Sequence, residues 1–228
     1  MTSAAQVLVD LRARGDATKA AEMAAYHKTA REFLGVPAAV LDEMARDLRR
    51  ELTLQARCDL AQEMWARDIH EACIFAAKLL TQARIKPDDS AVWQIISAWA
   101  QGFDSWALAD HASIAGAKRL QARPVRLDEV ARWTVSENKW TRRAALVMTL
   151  PWARLAHPKA GDLAVRARVL GWAELYVSDR DWFMQKAVAW WLRDLSRRDP
   201  EQVLAFLDGP GAGLAKWARK EALRIIQP

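Results

Sequence analysis

The sequence predicts an all-α protein, an α-solenoid of HEAT-like helical repeats with a concave basic groove. Three observations carry this. Apolar residues recur at the 3.6-residue spacing of amphipathic helices in almost every segment, while alternating runs rich in β-branched residues are absent. Connections are short and often led by aspartate, a favoured helix N-cap. Finally, EACIFAAKLL, ALADHASIAG, RAALVMTLPW and KAVAWWLRDL align when Glu71, Ala107, Arg143 and Lys186 are set level, at steps of 36, 36 and 43 residues. Such steps suit two helices per unit, near the armadillo and HEAT range of about 40–47 residues. The stacked second helices would line one concave surface, bringing distant residues to one groove.

Two short helices open the chain, over 3–14 and 16–27, the second capped by Asp16. REFLGVP then breaks the pattern at Gly35 and Pro37. Further helices are predicted over 38–50, 53–66, 68–83, 88–101, 105–121, 127–135, 138–150, 160–177, 181–197, 199–208 and 213–226. No Gly/Ser-rich stretch separates them, so residues 1–228 are expected to form one domain.

A hydrophobic content of 52% in 228 residues excludes a disordered chain. No run approaches the roughly 20 apolar residues of a transmembrane helix, and the start MTSAAQVLVDLRARGD lacks a basic region followed by an apolar one. A cytoplasmic protein with no membrane partner is expected. Cys58 and Cys73 both lie in helix-like segments, which speaks against a disulfide framework, and no Cys/His cluster has zinc-ligand spacing. The net charge of +6 is uneven: residues 1–115 carry 13 Lys+Arg against 16 Asp+Glu, residues 116–228 carry 21 against 12. Attraction for a polyanion therefore lies in the second half, although solvated helix faces alone would produce the same asymmetry.

The segment QKAVAWWLRDLSRR places Lys186, Trp190, Arg193 and Arg197 on one helix face. Met184, Ala187, Val188, Trp191 and Leu195 form the opposite, apolar stripe. A tryptophan in a row of cations suits a nucleic acid, with cations for phosphates and a π-face for a base or a positive charge. Trp190 is thus the candidate site residue and Trp191 the packing residue. In SWALADHAS, Asp110 follows Trp106 by one turn, and a carboxylate beside an aromatic ring is a good environment for a cation. Read alone, that helix fits a core tryptophan and a surface aspartate better; the second tryptophan-plus-cation face at Trp190 shifts the balance. KWTRRAALV sets Lys139 one turn before Arg143, which makes Arg143, rather than its neighbour Arg142, the expected phosphate contact. The four histidines have no partner at catalytic spacing, and no Ser/His/Asp order, glycine-rich phosphate loop or HExxH is present.

AYHKTAREFLGVP, SWALAD, ENKWTRRAALV, QKAVAWWLRDLSRRDP and ARKEALR, in this order, resemble the HEAT-like-repeat DNA alkylation-repair glycosylases of the AlkD type. The resemblance covers nearly the whole chain. It implies excision of positively charged alkylpurines such as 7-alkylguanine and 3-alkyladenine from duplex DNA, without metal or organic cofactor. It also implies Asp110, Trp106 and Trp190 as the catalytic set, Arg143 and Arg193 as groove arginines, and Tyr26 as a contact from the first helices. Lys186, Arg142, Lys139 and Arg197 complete the expected DNA-binding set. A monomer acting on double-stranded DNA is expected. Some relatives bind DNA without excision, so a non-catalytic protein binding bent or branched DNA is the alternative, and a protein-binding scaffold a third reading.

Overall fold

The computed structural model describes residues 2–226, and among them the regular structure is helical throughout apart from one isolated bridge between Glu32 and Ile69. The chain packs as two compact units that meet in sequence at Ala122 and Arg123. The division falls just before a 3₁₀ turn, Pro124–Arg126, with no Gly/Ser-rich stretch to mark it.

The first unit holds α1 (Ala4–Ala13), α2 (Ala17–His27), α3 (Ala38–Glu51), α4 (Leu54–Trp65), α5 (His70–Leu80), α6 (Ser90–Ala100) and α7 (Trp106–Ala122). Three starts are set by side-chain caps: Ser3, Asp16 and Thr53 accept from the amides of Gln6, Lys19 and Ala56. Helix α5 is the centre and packs against α1, α3, α4 and α7. All its residues except Lys78 are buried, and Ala72, Cys73, Ala76 and Ala77 keep its surface small enough for close neighbours. The break after α2 is tied to this centre. The fully buried Glu71 carboxylate accepts from the backbone amides of Leu34 (3.0 Å), Gly35 (2.7 Å) and Val36 (3.3 Å). Gly35 sits at φ +75°, and a Cβ there would lie 2.1 Å from the Asp16 carbonyl oxygen, so glycine is required twice over. Arg119, buried on α7, pairs with Asp89 at 3.0 Å and donates to the Ala83 carbonyl, which fastens the connection before α6.

The second unit holds α8 (Leu127–Trp133), α9 (Lys139–Val147), α10 (Leu150–Arg154), α11 (Ala160–Glu174), α12 (Trp182–Ser196), α13 (Pro200–Asp208) and α14 (Lys216–Leu223). Here α12 is central, packing against α9, α10, α13 and α14. Gln185 is buried on α12. Its amide donates to the carbonyls of Tyr176, Val177 and Asp179 and accepts from the Ala215 amide, so one side chain ties a turn and the approach to α14. The expected helix 138–150 stops at Val147, and a short α10 follows. Pro151 lies in the first turn of α10, where its missing N–H leaves no intrahelical bond unmade. The expected helix 160–177 ends at Glu174, and 213–226 begins only at Lys216, after a 3₁₀ turn.

Among the described residues no helix is long and apolar enough to cross a membrane, and no His/Cys/Asp/Glu group is disposed to hold a metal ion. Cys58 and Cys73 are buried thiols. Burial pushes Cys73 up to about 12, which makes it a poor nucleophile.

Candidate nucleic-acid interface

In the first unit α7 begins at Trp106, with Asp110 one turn on, both half-buried, while Leu108, Ala112 and Ala115 are buried. The two faces of this helix are those expected from its spacing. Tyr26, at the end of α2 and 70% exposed, sets its ring edge-on to Trp106 at 6.2 Å between centroids. These three residues are therefore brought together. The structure adds groups the sequence did not single out. His27 stacks on Trp106 at 5.2 Å and lies 4.5 Å from His70, and Phe33 stacks on both histidines. Their meeting depends on the Glu71 clamp that folds 33–37 against α5, a long-range contact with no local sequence signal. Beside Trp106, His27, His70 and His111 line a cavity of about 380 Å³. Burial pushes His70 down to about 3 and His111 to about 4, and lowers His27 against an opposing pull from Glu71.

In the second unit α12 shows the predicted division of faces. Lys186 and Arg197 are exposed, and Trp190 and Arg193 half-buried. Met184, Ala187, Val188, Trp191 and Leu195 are buried. Trp191 is completely enclosed, its indole N–H donating to the Thr149 hydroxyl at 3.2 Å. Arg154 stands over the Trp190 ring at 6.0 Å while its guanidinium pairs with Asp194 at 2.7 Å, so this ring already faces a cation. Arg193 pairs with Glu221 and Asp194.

The α9 cations differ from expectation. Arg143 is 2% exposed and donates to the Phe183 carbonyl at 2.8 Å, so the guanidinium expected to meet phosphate is a buried structural group. Spacing placed it with Lys139 but could not show that α12 covers that face. Arg142 donates to the carbonyls of Ser136 and Glu137 and approaches Asp179 at 3.5 Å. Lys139 pairs with Asp181 at 2.8 Å. Burial alone would raise the Asp181 pKa, but Lys139 and the amides of Phe183 and Met184 outweigh it and hold the carboxyl below its ordinary value. The three cations thus anchor the start of α12. Two further exposed rings stand there, Trp182 and Trp217, stacked at 5.7 Å with the Lys186 ammonium 4.4 Å from the Trp182 centroid. The four-residue step from Trp182 to Lys186 was legible; Trp217 was not.

A sequence profile for the family described as "DNA alkylation repair enzyme" matches residues 7–226. No curated protein matches the chain. Among solved structures, one described as a predicted DNA alkylation repair enzyme from Enterococcus faecalis is 22% identical, covers 94% of this chain and 97% of its own, and superposes with a TM-score of 0.77. AlkD2 from Streptococcus mutans is 16% identical over 84% of this chain and 91% of its own, with a TM-score of 0.62. A second S. mutans protein, smu.31, is also 16% identical, over 81% and 90%, with a TM-score of 0.61. At these identities the likeness shows a shared helical-repeat fold.

Proposed function

The chain belongs to the DNA alkylation repair enzyme family, and from that premise we propose that it is a monofunctional DNA glycosylase hydrolysing the glycosidic bond of positively charged alkylpurines, 7-alkylguanine and 3-alkyladenine, in duplex DNA. The observation that carries this reading is Asp110 one helical turn beyond Trp106, both half-buried, with the exposed Tyr26 against the same ring. An alkylated purine already carries positive charge and leaves without protonation. The barrier lies in the sugar, which becomes oxocarbenium-like as the C1′–N bond stretches. In this mechanism the Asp110 carboxylate stabilises the developing cation and orients the water whose oxygen bonds to C1′. The faces of Trp106 and Trp190 add CH–π and cation–π attraction of about 0.5–2 kcal/mol per contact. Exposed cations of the second unit, Lys186 and Arg197 among them, supply attraction for the DNA backbone.

The test is single-turnover release of 7-methylguanine from methylated duplex DNA. Asp110→Asn keeps shape and removes charge, so it binds the duplex at least as well as the parent and loses excision, because the missing interaction belongs to the transition state. A parent protein that binds duplex DNA and releases no methylpurine would instead be the non-catalytic binder of bent or branched DNA.

A further inference from the structure

Helix α2 is fixed at one end and loosely seated at the other. None of its 11 residues is buried, whereas α5 and α7, against which its end rests, are largely enclosed. Helices in a folded domain are held mainly by burying an amphipathic face, so α2 has little hold of its own. Its start is secured from outside. The Asp16 amide donates to the Leu34 carbonyl at 3.0 Å, the Asp16 side chain caps the helix, and Gly35 packs so close that a Cβ would lie 2.7 Å from the Ala20 nitrogen. Further along, α2 spans the half-open cavity. Lys19, Met23 and His27, one face at four-residue steps, line it on one side, and residues of α3, α5 and α7 on the other. Close packing is therefore missing where α2 should meet the body of the unit. The far end is also left unsatisfied: Nδ1 of His27, Oγ1 of Thr29 and Nδ1 of His70 are buried with no hydrogen-bond partner. Just beyond, Arg31 is tied to Asp68 at 2.9 Å and to Asp104 at 2.6 Å. Movement is thereby confined to the residues between, where Lys28 already has a left-handed backbone, φ 54°.

We propose that α2 is an arm hinged at Asp16, whose C-terminal end docks on Trp106 and lifts from it, and that duplex DNA holds it down. Two opposed effects keep the positions close in free energy. Ring contacts of His27 with Phe33, His70 and Trp106 draw the end down. Lifting it returns the unpartnered polar atoms to water, whose hydrogen bonds they lose on docking. The role of DNA here rests on the glycosylase reading. A ligand shifts such an equilibrium only by touching one position in preference to the other. Tyr26 and Lys28 are exposed at the moving end. Docked, the arm holds the Tyr26 ring against Trp106, with Lys28 two residues on as a cation for phosphate; lifted, it loses that arrangement. Capture of the duplex is thereby coupled to ordering of the residues around Trp106.

The experiment is hydrogen–deuterium exchange of the full chain, read segment by segment. In the free protein the amides of α2 should exchange about tenfold faster than those of α5 and α7, or more, because local opening frees weakly packed elements first. His27→Phe keeps the ring and removes the unpartnered nitrogen, and Thr29→Val keeps the shape and removes the hydroxyl. Each should slow α2 exchange about tenfold, since the docked end no longer buries an unsatisfied atom. A saturating unmodified duplex, its binding followed by fluorescence anisotropy in the same buffer, should also slow α2 by about tenfold. Lys28→Gln, which keeps length and removes charge, should lose most of that added protection while still binding the duplex. The arm is overturned, and the glycosylase reading left standing, by any of three results: α2 exchanging as slowly as α5 and α7 in the free protein, no slowing in either His27→Phe or Thr29→Val, or a bound complex whose α2 exchanges at the free rate. A chain that binds no duplex sinks the DNA reading and takes this role of the arm with it.

Discussion

Trp190 and Trp191 are adjacent in sequence, yet a step of about 100° around the helix gives them opposite surroundings. Trp191 is enclosed against Thr149, so Trp191→Ala should cost about 3–5 kcal/mol, seen as early melting. Trp190 is half-buried under Arg154, and Trp190→Ala should melt near the parent temperature while losing methylpurine release. The reverse pattern would mean that the helix face is assigned the wrong way round. Period alone made this pair legible, because amphipathic spacing states which side is core. It failed for Arg143, whose neighbours lie some 40 residues away: α12 covers it and Phe183 accepts from it. Histidine burial was equally invisible, and it has a pH consequence. His70 and His111 carry folded-state values near 3 and 4 against 6.5 ordinarily. As pH falls below about 6.5 the unfolded chain takes up protons that the folded chain refuses, so stability falls, levelling off only near pH 3–4. Thermal melts between pH 7 and 4 should show this decline, and it should be shallower in His70→Phe. A parent melting temperature that stays flat over that range would contradict neutral, buried imidazoles.

Helix α5 illustrates how an element acts beyond its own length. Its position in the repeat was readable from EACIFAAKLL, as was the break at Gly35 and Pro37. The bond between the two was not, because Glu71 and Gly35 lie 36 residues apart and neither announces the other. Glu71→Gln replaces a carboxylate that accepts three amide protons by a group with one acceptor oxygen and an opposing N–H₂. The cost should be about 1.5–3 kcal/mol or more, the scale of hydrogen bonds to a charged group. Because this clamp holds Phe33 against His27 and His70, the same variant should also perturb the stack on Trp106, measurable as altered histidine resonances at neutral pH. Unchanged melting and unchanged resonances would show that the 33–37 segment holds its place without Glu71. The short α10 was missed for the opposite reason: Pro151 reads as a helix end, and only the cap geometry shows it as a beginning.

At the scale of the whole molecule, charge divides with the packing. The first unit carries 15 Lys+Arg against 16 Asp+Glu, the second 19 against 12. The halves drawn on the sequence had the same asymmetry, and the structure sharpens it by showing which cations are engaged. Lys139, Arg142 and Arg193 have carboxylate partners and Arg143 is buried, whereas Lys186 and Arg197 are exposed. Duplex affinity should therefore fall steeply with salt, with a log–log slope of about −0.9 for each phosphate neutralised. Lys186→Ala and Arg197→Ala should each flatten that slope by about one, since a phosphate that no side chain neutralises keeps its counterion. Arg46→Ala, on an exposed face of the near-neutral first unit, should leave it unchanged. Arg143→Ala should instead lower the melting temperature, as it removes the donor to the Phe183 carbonyl, and any change it brings to DNA binding should disappear when folded protein is compared at equal concentration. Binding titrations between roughly 50 and 200 mM salt, the range over which such slopes are resolved, decide the matter. If Arg143→Ala flattens the slope while melting normally, its guanidinium reaches DNA after all; if Lys186→Ala and Arg197→Ala leave the slope intact, the exposed face of α12 is not where the duplex lies.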